Sequence, residues 1–197
     1  MLPVHLRQEL ALATWVRAVL LDNEKIGEAL VPVLTNLMPD LKEDLTAYRS
    51  AKNQEARKFA AVFLLLKLPG ARPYIGEGLS RQTPFNQVDS YRDNWWDCRG
   101  GGGATPDVVD FLDETQKAAA RQELGKPRPS VDATFRLVIE WAKKHPNDPR
   151  VPEALHRAVK SARYGCTSGE LSRQAFQLLH KRYPNSSWAK KTKYWYR

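Results

Sequence analysis

The chain has 197 residues, with 31 Lys or Arg against 22 Asp or Glu and a net charge of +9. Hydrophobic residues make up 42% and charged residues 27%, which supports a packed core and is too apolar for a disordered chain. Two cysteines exclude a disulfide-dense mini-protein and a four-cysteine metal site, and no apolar run reaches the ~18 residues of a spanning helix.

Almost every segment repeats at the helical period. The first predicted helix covers 5–21, with Leu6, Leu10, Ala13, Val16 and Leu20 on its inward stripe. No basic leader or small-residue cleavage site precedes it. That leaves two readings: a cytoplasmic protein, or the mature or C-terminal part of a longer one. Asp22 and Asn23 can cap a second helix over 24–38, with Ile26, Leu30, Val33, Leu34 and Leu37 inward. Pro32 should kink it unless the helix restarts there. Pro39 stops it, and Asp40 is the expected cap of a short helix over 41–51. Asn53 caps a fourth over 54–68, which holds the longest apolar run, 59–66.

Residues 81–106 differ. They carry Pro84, Pro106, Trp95, Trp96, Cys98 and four consecutive glycines at 100–103. Such a glycine run cannot hold a helix, so the segment reads as a long connection between two helical halves. Helices resume at Pro106 and run to about Leu124. Ser130 caps 131–144, Pro152 starts 153–164, Ser168 caps 169–182, and a short helix follows Ser187. No stretch alternates strongly at period two, so the fold class is all-α. The last residues, Tyr194, Trp195, Tyr196 and Arg197, put three aromatics together, poised to dock on the protein's own core or on a partner.

Two segments share one pattern: Glu-Trp-Ala-Lys-Lys-His-Pro-Asn-Asp at 140–148 and Leu-Leu-His-Lys-Arg-Tyr-Pro-Asn-Ser at 178–186. Each is a helix end with two basic residues, then a proline stop, then a cap for the next helix. Helix–turn–helix content with a period in the thirties marks tetratricopeptide-like arrays. The runs WAKKHPNDPRVPEAL and LLHKRYPNSSWAKKT resemble the inter-repeat junctions of tetratricopeptide-like proteins of the bacterial envelope, over about residues 130–197. The Gly-Tyr pair usual inside such hairpins is absent here. The resemblance implies a scaffold that binds other proteins, in the periplasm or cell envelope. The chain also resembles the C-terminal region of larger bacterial proteins with an Arg-Asp-Asn-Trp-Trp segment, here 92–96, which implies no activity.

Residues that carry chemistry are sparse. His5, His145, His156 and His180 form no His-x3-His or His-Glu-x-x-His spacing and read as helix-end and surface groups. Cys166 precedes a predicted helix, a position that can activate a thiol, yet no hydrolase elbow accompanies it. Cys98 and Cys166 either pair in a disulfide, closing a loop across the segment between them, or stay as two free thiols. The glycine run leads into an acidic turn, which would repel a phosphate. Asp107, Asp110, Asp113 and Glu114 read as partners of a helix dipole rather than a catalytic pair. No catalytic residue, cofactor or metal site is expected.

Charge is polarised along the chain. Residues 126–197 hold 16 Lys or Arg and 5 Asp or Glu, whereas 1–125 hold 15 and 17. Trp141, Tyr164, Tyr183, Trp188, Tyr194, Trp195 and Tyr196 interleave with the basic residues. Arg157, Lys160 and Arg163 sit at i, i+3, i+6 on one helix face. Trp95 and Trp96 either plug a crevice or form a platform. These five residues are the expected partner-binding set.

The expected architecture is therefore antiparallel helical hairpins, as a tetratricopeptide-like solenoid or a bundle in two parts. Residues 1–80 form a helical bundle, 81–105 a Trp/Gly-rich connection and 106–197 repeat hairpins. The expected function is a non-catalytic interaction or assembly module. Its partner is another protein with an acidic or apolar segment, or an anionic membrane surface; the alternative is nucleic-acid binding by the basic half.

Overall fold

A computed structural model of the chain describes residues 2–68, 71, 113–125, 131–163 and 169–196. All regular structure among them is helical: α1 (Val4–Leu20), α2 (Glu24–Leu37), a 3-10 turn (Pro39–Leu41), α3 (Lys42–Arg49), α4 (Gln54–Lys67), α5 (Glu114–Gly125), α6 (Val131–Lys144), α7 (Val151–Ser161), α8 (Gly169–Arg182) and α9 (Ser187–Lys191). No described helix is long and apolar enough to cross a membrane.

Local chemistry sets several helix ends. Asn23 accepts a hydrogen bond from the Ile26 amide, and Asn53 one from Ala56. Ser186 accepts from Ala189. Each cap satisfies an amide that has no partner in the first turn. α1 closes in a Schellman motif: Asn23 N donates to Ala18 O at 2.8 Å and Asp22 N to Val19 O at 3.2 Å. Asp22 takes the left-handed conformation this requires, φ 55°, which a short polar side chain tolerates. One expectation changes. Asp40 does not cap, because Pro39 begins a 3-10 turn that runs directly into α3. α5 begins at Glu114, where Asp113 and Gln116 exchange reciprocal capping bonds; the expected start at Pro106 lies outside the described residues. Pro32 lies within α2, which is continuous from Glu24 to Leu37.

Two apolar clusters form the core. The first joins α1 to α4 through Leu12, Trp15, Val16, Val31, Leu34, Met38, Leu45, Tyr48, Leu64 and Leu65. The second joins α4 to α6, α7, α8 and α9. α4 therefore serves both. Phe59, Phe63 and Leu66, at i, i+4, i+7, face the second cluster, while Ala60, Ala61, Leu64, Leu65 and Leu68 face the first.

The stripes expected for the first hairpin are rotated. Leu10 is 46% exposed, and Leu12 and Trp15 are buried beside the expected Ala13 and Val16. On α2, Ile26 and Val33 are exposed, while Val31 joins the expected Leu34 in the core. The rotation follows from a close approach. Tyr48 lies edge-on to the fully buried Trp15, with ring centroids 5.4 Å apart, and its hydroxyl fills the space beside Gly27, where a Cβ would meet it at 2.5 Å. Gly27→Ala should therefore lower stability. Overpacking against a buried ring costs about 1–3 kcal/mol, more than the ~1 kcal/mol that Ala gains over Gly in a helix. A urea midpoint above wild type would mean that Tyr48 gives way.

The turn between α1 and α2 is tied to α4 by charge. Arg57 Nη1 contacts Glu24 at 2.9 Å and Glu28 at 3.1 Å, and Lys58 contacts Asp22 at 2.8 Å. On the other side, Lys144 of α6 reaches Glu55 at 2.6 Å.

In the second half, α6 and α8 are each 14 residues long, the first starting at Val131 and the second at Gly169. α7 packs between them and also touches α4 and α9. The junction after α6 is built around Asp148. Its carboxylate accepts from Trp141 Nε1 at 3.0 Å, from the Arg150 amide and Nε at 3.0 Å each, and from Arg150 Nη2 at 2.7 Å. Burial pushes the Asp148 carboxyl up, but the hydrogen bonds from Arg150 and Trp141 outweigh it and hold the group below its ordinary value. At the following junction, Tyr183 Oη donates to Pro146 O at 2.7 Å, and Arg182 Nη1 donates to Ala142 O at 3.0 Å.

Candidate functional site

The surface formed by α7, α9 and residues 192–196 carries Arg157, Lys160, Lys190, Lys191 and Lys193 beside Trp188, Tyr194, Trp195 and Tyr196. α7 turns Val151, Ala154, Leu155, Ala158 and Val159 into the core. Its outward stripe is left to Glu153, Arg157 and Lys160, with Arg163 following the helix. Arg157 Nε donates to Glu153 at 2.6 Å, one helical turn back. The Arg157 guanidinium lies 5.8 Å from the Trp188 ring, and Lys191 Nζ lies 4.6 Å from the same ring. The Arg163 guanidinium lies 5.9 Å from the ring of Tyr196.

After α9 the chain leaves the helix and runs across α7 and α8. Thr192 anchors it. The Thr192 hydroxyl donates to Trp188 O at 2.7 Å. With that hydrogen committed, His156 Nδ1 donates to the hydroxyl oxygen at 2.6 Å. His180 Nε2 donates to the Thr192 carbonyl at 2.7 Å. His156 is only 8% exposed, so it departs from the expectation of four helix-end or surface histidines. His145 keeps to it, tilted against Trp141 with centroids 3.9 Å apart just past the end of α6. Further along, the Tyr196 amide donates to Ser172 Oγ at 3.2 Å, and Trp195 packs against Phe176 at 5.2 Å. Trp195 and Tyr196 thus dock on the protein's own core. Tyr194 is 59% exposed and stands edge-on to Tyr196, with ring centroids 5.3 Å apart.

The face carries more positive than negative charge. Its carboxylate on α7, Glu153, is already held by Arg157, and Glu170 on the neighbouring α8 is held by Arg173. Hydrogen bonds from Gln174 and Arg173 keep the Glu170 carboxyl below its ordinary value. Lys160 and Lys193 have no ion pair among the described residues. No group of three or more His, Cys, Asp or Glu side chains among the described residues could hold a metal ion.

No protein-family model matches the chain, and no curated protein or solved structure matches it. The functional reading therefore rests on this geometry.

Of the five residues expected to bind a partner, Arg157, Lys160 and Arg163 lie on this face, two of them over aromatic rings. Trp95 and Trp96 lie outside the described residues, as do Cys98 and Cys166 and the disulfide that is one of their two expected states. Helix spacing does not single out Thr192, Lys191 or Lys193. One signal for Thr192 does exist. In the register that aligns 140–148 with 178–186, Thr192 takes the place of the buried Ala154, and it is buried too.

Proposed function

We propose that the protein is a non-catalytic interaction module that holds an acidic segment of a partner protein on the face of α7, α9 and residues 192–196. One observation carries the reading: the cations of this face stand over its own aromatic rings, Arg157 and Lys191 over Trp188 and Arg163 over Tyr196. Such stacking holds the charged heads in place along one surface. A fixed row of cations beside the half-buried Lys160 and the exposed Lys193 suits carboxylates spaced along a peptide. The equal lengths of α6 and α8, and the shared sequence pattern at the junctions that follow them, support tetratricopeptide-like hairpins as the scaffold.

The same observation disfavours nucleic acid. Base stacking needs free aromatic faces, and here Arg157 and Lys191 stand over Trp188, Arg163 over Tyr196 and Phe176 against Trp195, leaving Tyr194 as the one largely exposed ring among residues 192–196. A synthetic glutamate-rich peptide and a single-stranded oligonucleotide are the two probes. The peptide should bind, and Lys160→Glu with Lys193→Glu should weaken it about tenfold. The oligonucleotide should bind no better than the ~10⁻⁴–10⁻⁶ M typical of non-specific contacts. Tight oligonucleotide binding with a steep salt slope would replace this reading with the nucleic-acid one.

A further inference from the structure

We propose that residues 192–196 form a detachable strap, clasped at Thr192 by His156 and His180, whose docking assembles the basic face. The proposal rests on the interaction reading for its purpose, and on the geometry of the clasp for its mechanism.

The strap is neither helix nor strand. Thr192 N still bonds back to α9, through Trp188 O and Ala189 O. Beyond that point, the attachments to α7 and α8 run through side chains. His156 holds the Thr192 hydroxyl, His180 holds the Thr192 carbonyl, and Ser172 holds the Tyr196 amide. Rings complete the contact: His156 under Trp188 at 5.1 Å, Phe176 beside Trp195, and Arg163 over Tyr196. A non-helical segment held through side-chain bonds opens at a lower free energy than the helices beneath it.

At Thr192 two elements grip the strap at once. The His156 bond comes from α7 and the His180 bond from α8, one to the side chain and one to the backbone of the same residue. Both imidazoles are braced by tilted ring contacts, His156 against Trp188 and His180 against Phe176 at 4.2 Å. Once the clasp opens, Lys193 leaves the neighbourhood of α7, and the Tyr196 ring leaves Arg163. The face is then no longer a fixed row. The clasp therefore decides whether the charges stand in register for a partner.

Trypsin cleavage after Lys193 reads the strap directly, because a protease needs the segment free of the surface. Thr192→Val removes the hydroxyl at nearly constant shape. His180→Ala removes the carbonyl clasp. Each should raise the cleavage rate at Lys193 about tenfold or more, while the urea midpoint of the whole protein moves little. Thr192→Ser keeps the hydroxyl and should cleave at close to the wild-type rate. Cleavage at the wild-type rate in both Thr192→Val and His180→Ala would overturn the proposal. So would a rise that only tracks a fall in the urea midpoint, because that reports general destabilisation. Peptide binding is measured separately on the same variants. Fast cleavage in the two variants, with no peptide binding by the wild type, would keep the strap and discard the interaction reading.

Discussion

Phe59→Ala should lower stability by about 3–5 kcal/mol, the range for deleting a fully buried aromatic side chain. Phe59 is completely buried. It stacks on Trp141 of α6 at 4.7 Å and on Phe63 at 6.2 Å, and the Arg150 guanidinium lies 4.9 Å from its ring. Removing the ring leaves a cavity between α4 and α6 that neither helix can close. The damage should be uneven. Phe59 belongs to the second cluster, whereas the side of α4 facing α1 keeps Ala60, Ala61, Leu64 and Leu65. Urea unfolding gives the magnitude, and native-state hydrogen exchange gives the distribution. Amides of α6, α7 and α8 should lose more protection than those of α1 and α2. A loss below about 1 kcal/mol, or equal loss of protection throughout, would contradict this account of α4.

Asp148→Asn is the second large effect, and it carries a pH signature. The carboxylate accepts four N–H bonds, from Trp141 and Arg150. An amide brings an N–H₂ where one acceptor oxygen stood, so at least one of those donors loses its partner. The expected cost at neutral pH is about 1–3 kcal/mol. The carboxyl is held below its ordinary value of 3.8 in the folded protein. Its contribution is therefore complete above that ordinary value and is lost as the pH falls through the lower folded value. The gap between wild type and Asp148→Asn should be flat from pH 7 to about pH 5 and should shrink below pH 4. Urea midpoints at pH 7 and pH 3 decide it. A gap that grows in acid would mean that the carboxylate is not stabilised as the geometry implies.

How much of this fold could be read from sequence depends on how local each cause is. The caps at Asn23, Asn53 and Ser186 and the repeated junction pattern are encoded within a few neighbouring positions, and the helices they bound lie close to where the sequence places them. The phase of α1 is not local. Leu10, Leu12, Trp15 and Val16 offer two competing apolar stripes. The choice falls to Tyr48, two helices further on in α3, which needs the flank of Gly27 for its hydroxyl. Once Tyr48 is seated, Trp15 must face inward and Leu10 outward. The candidate site divides the same way. Arg157, Lys160 and Arg163 follow from helix spacing alone. The two histidines that grip Thr192 stand 36 and 12 positions earlier, and no periodicity announces that pairing.

The double duty of α4 also has a consequence in time. Chains emerge from the ribosome N-terminus first, and the first cluster can close once residue 68 is free. The stripe of Phe59, Phe63 and Leu66 then waits for its partners among the described residues, which lie in α6 to α9 at residues 131–191. At ~5–20 residues per second, that greasy strip waits on the order of ten seconds for its cover. A nascent chain of this protein should therefore be a client for chaperones that recognise aromatic stripes, and slowed translation beyond residue 68 should raise aggregation more than slowed translation before it.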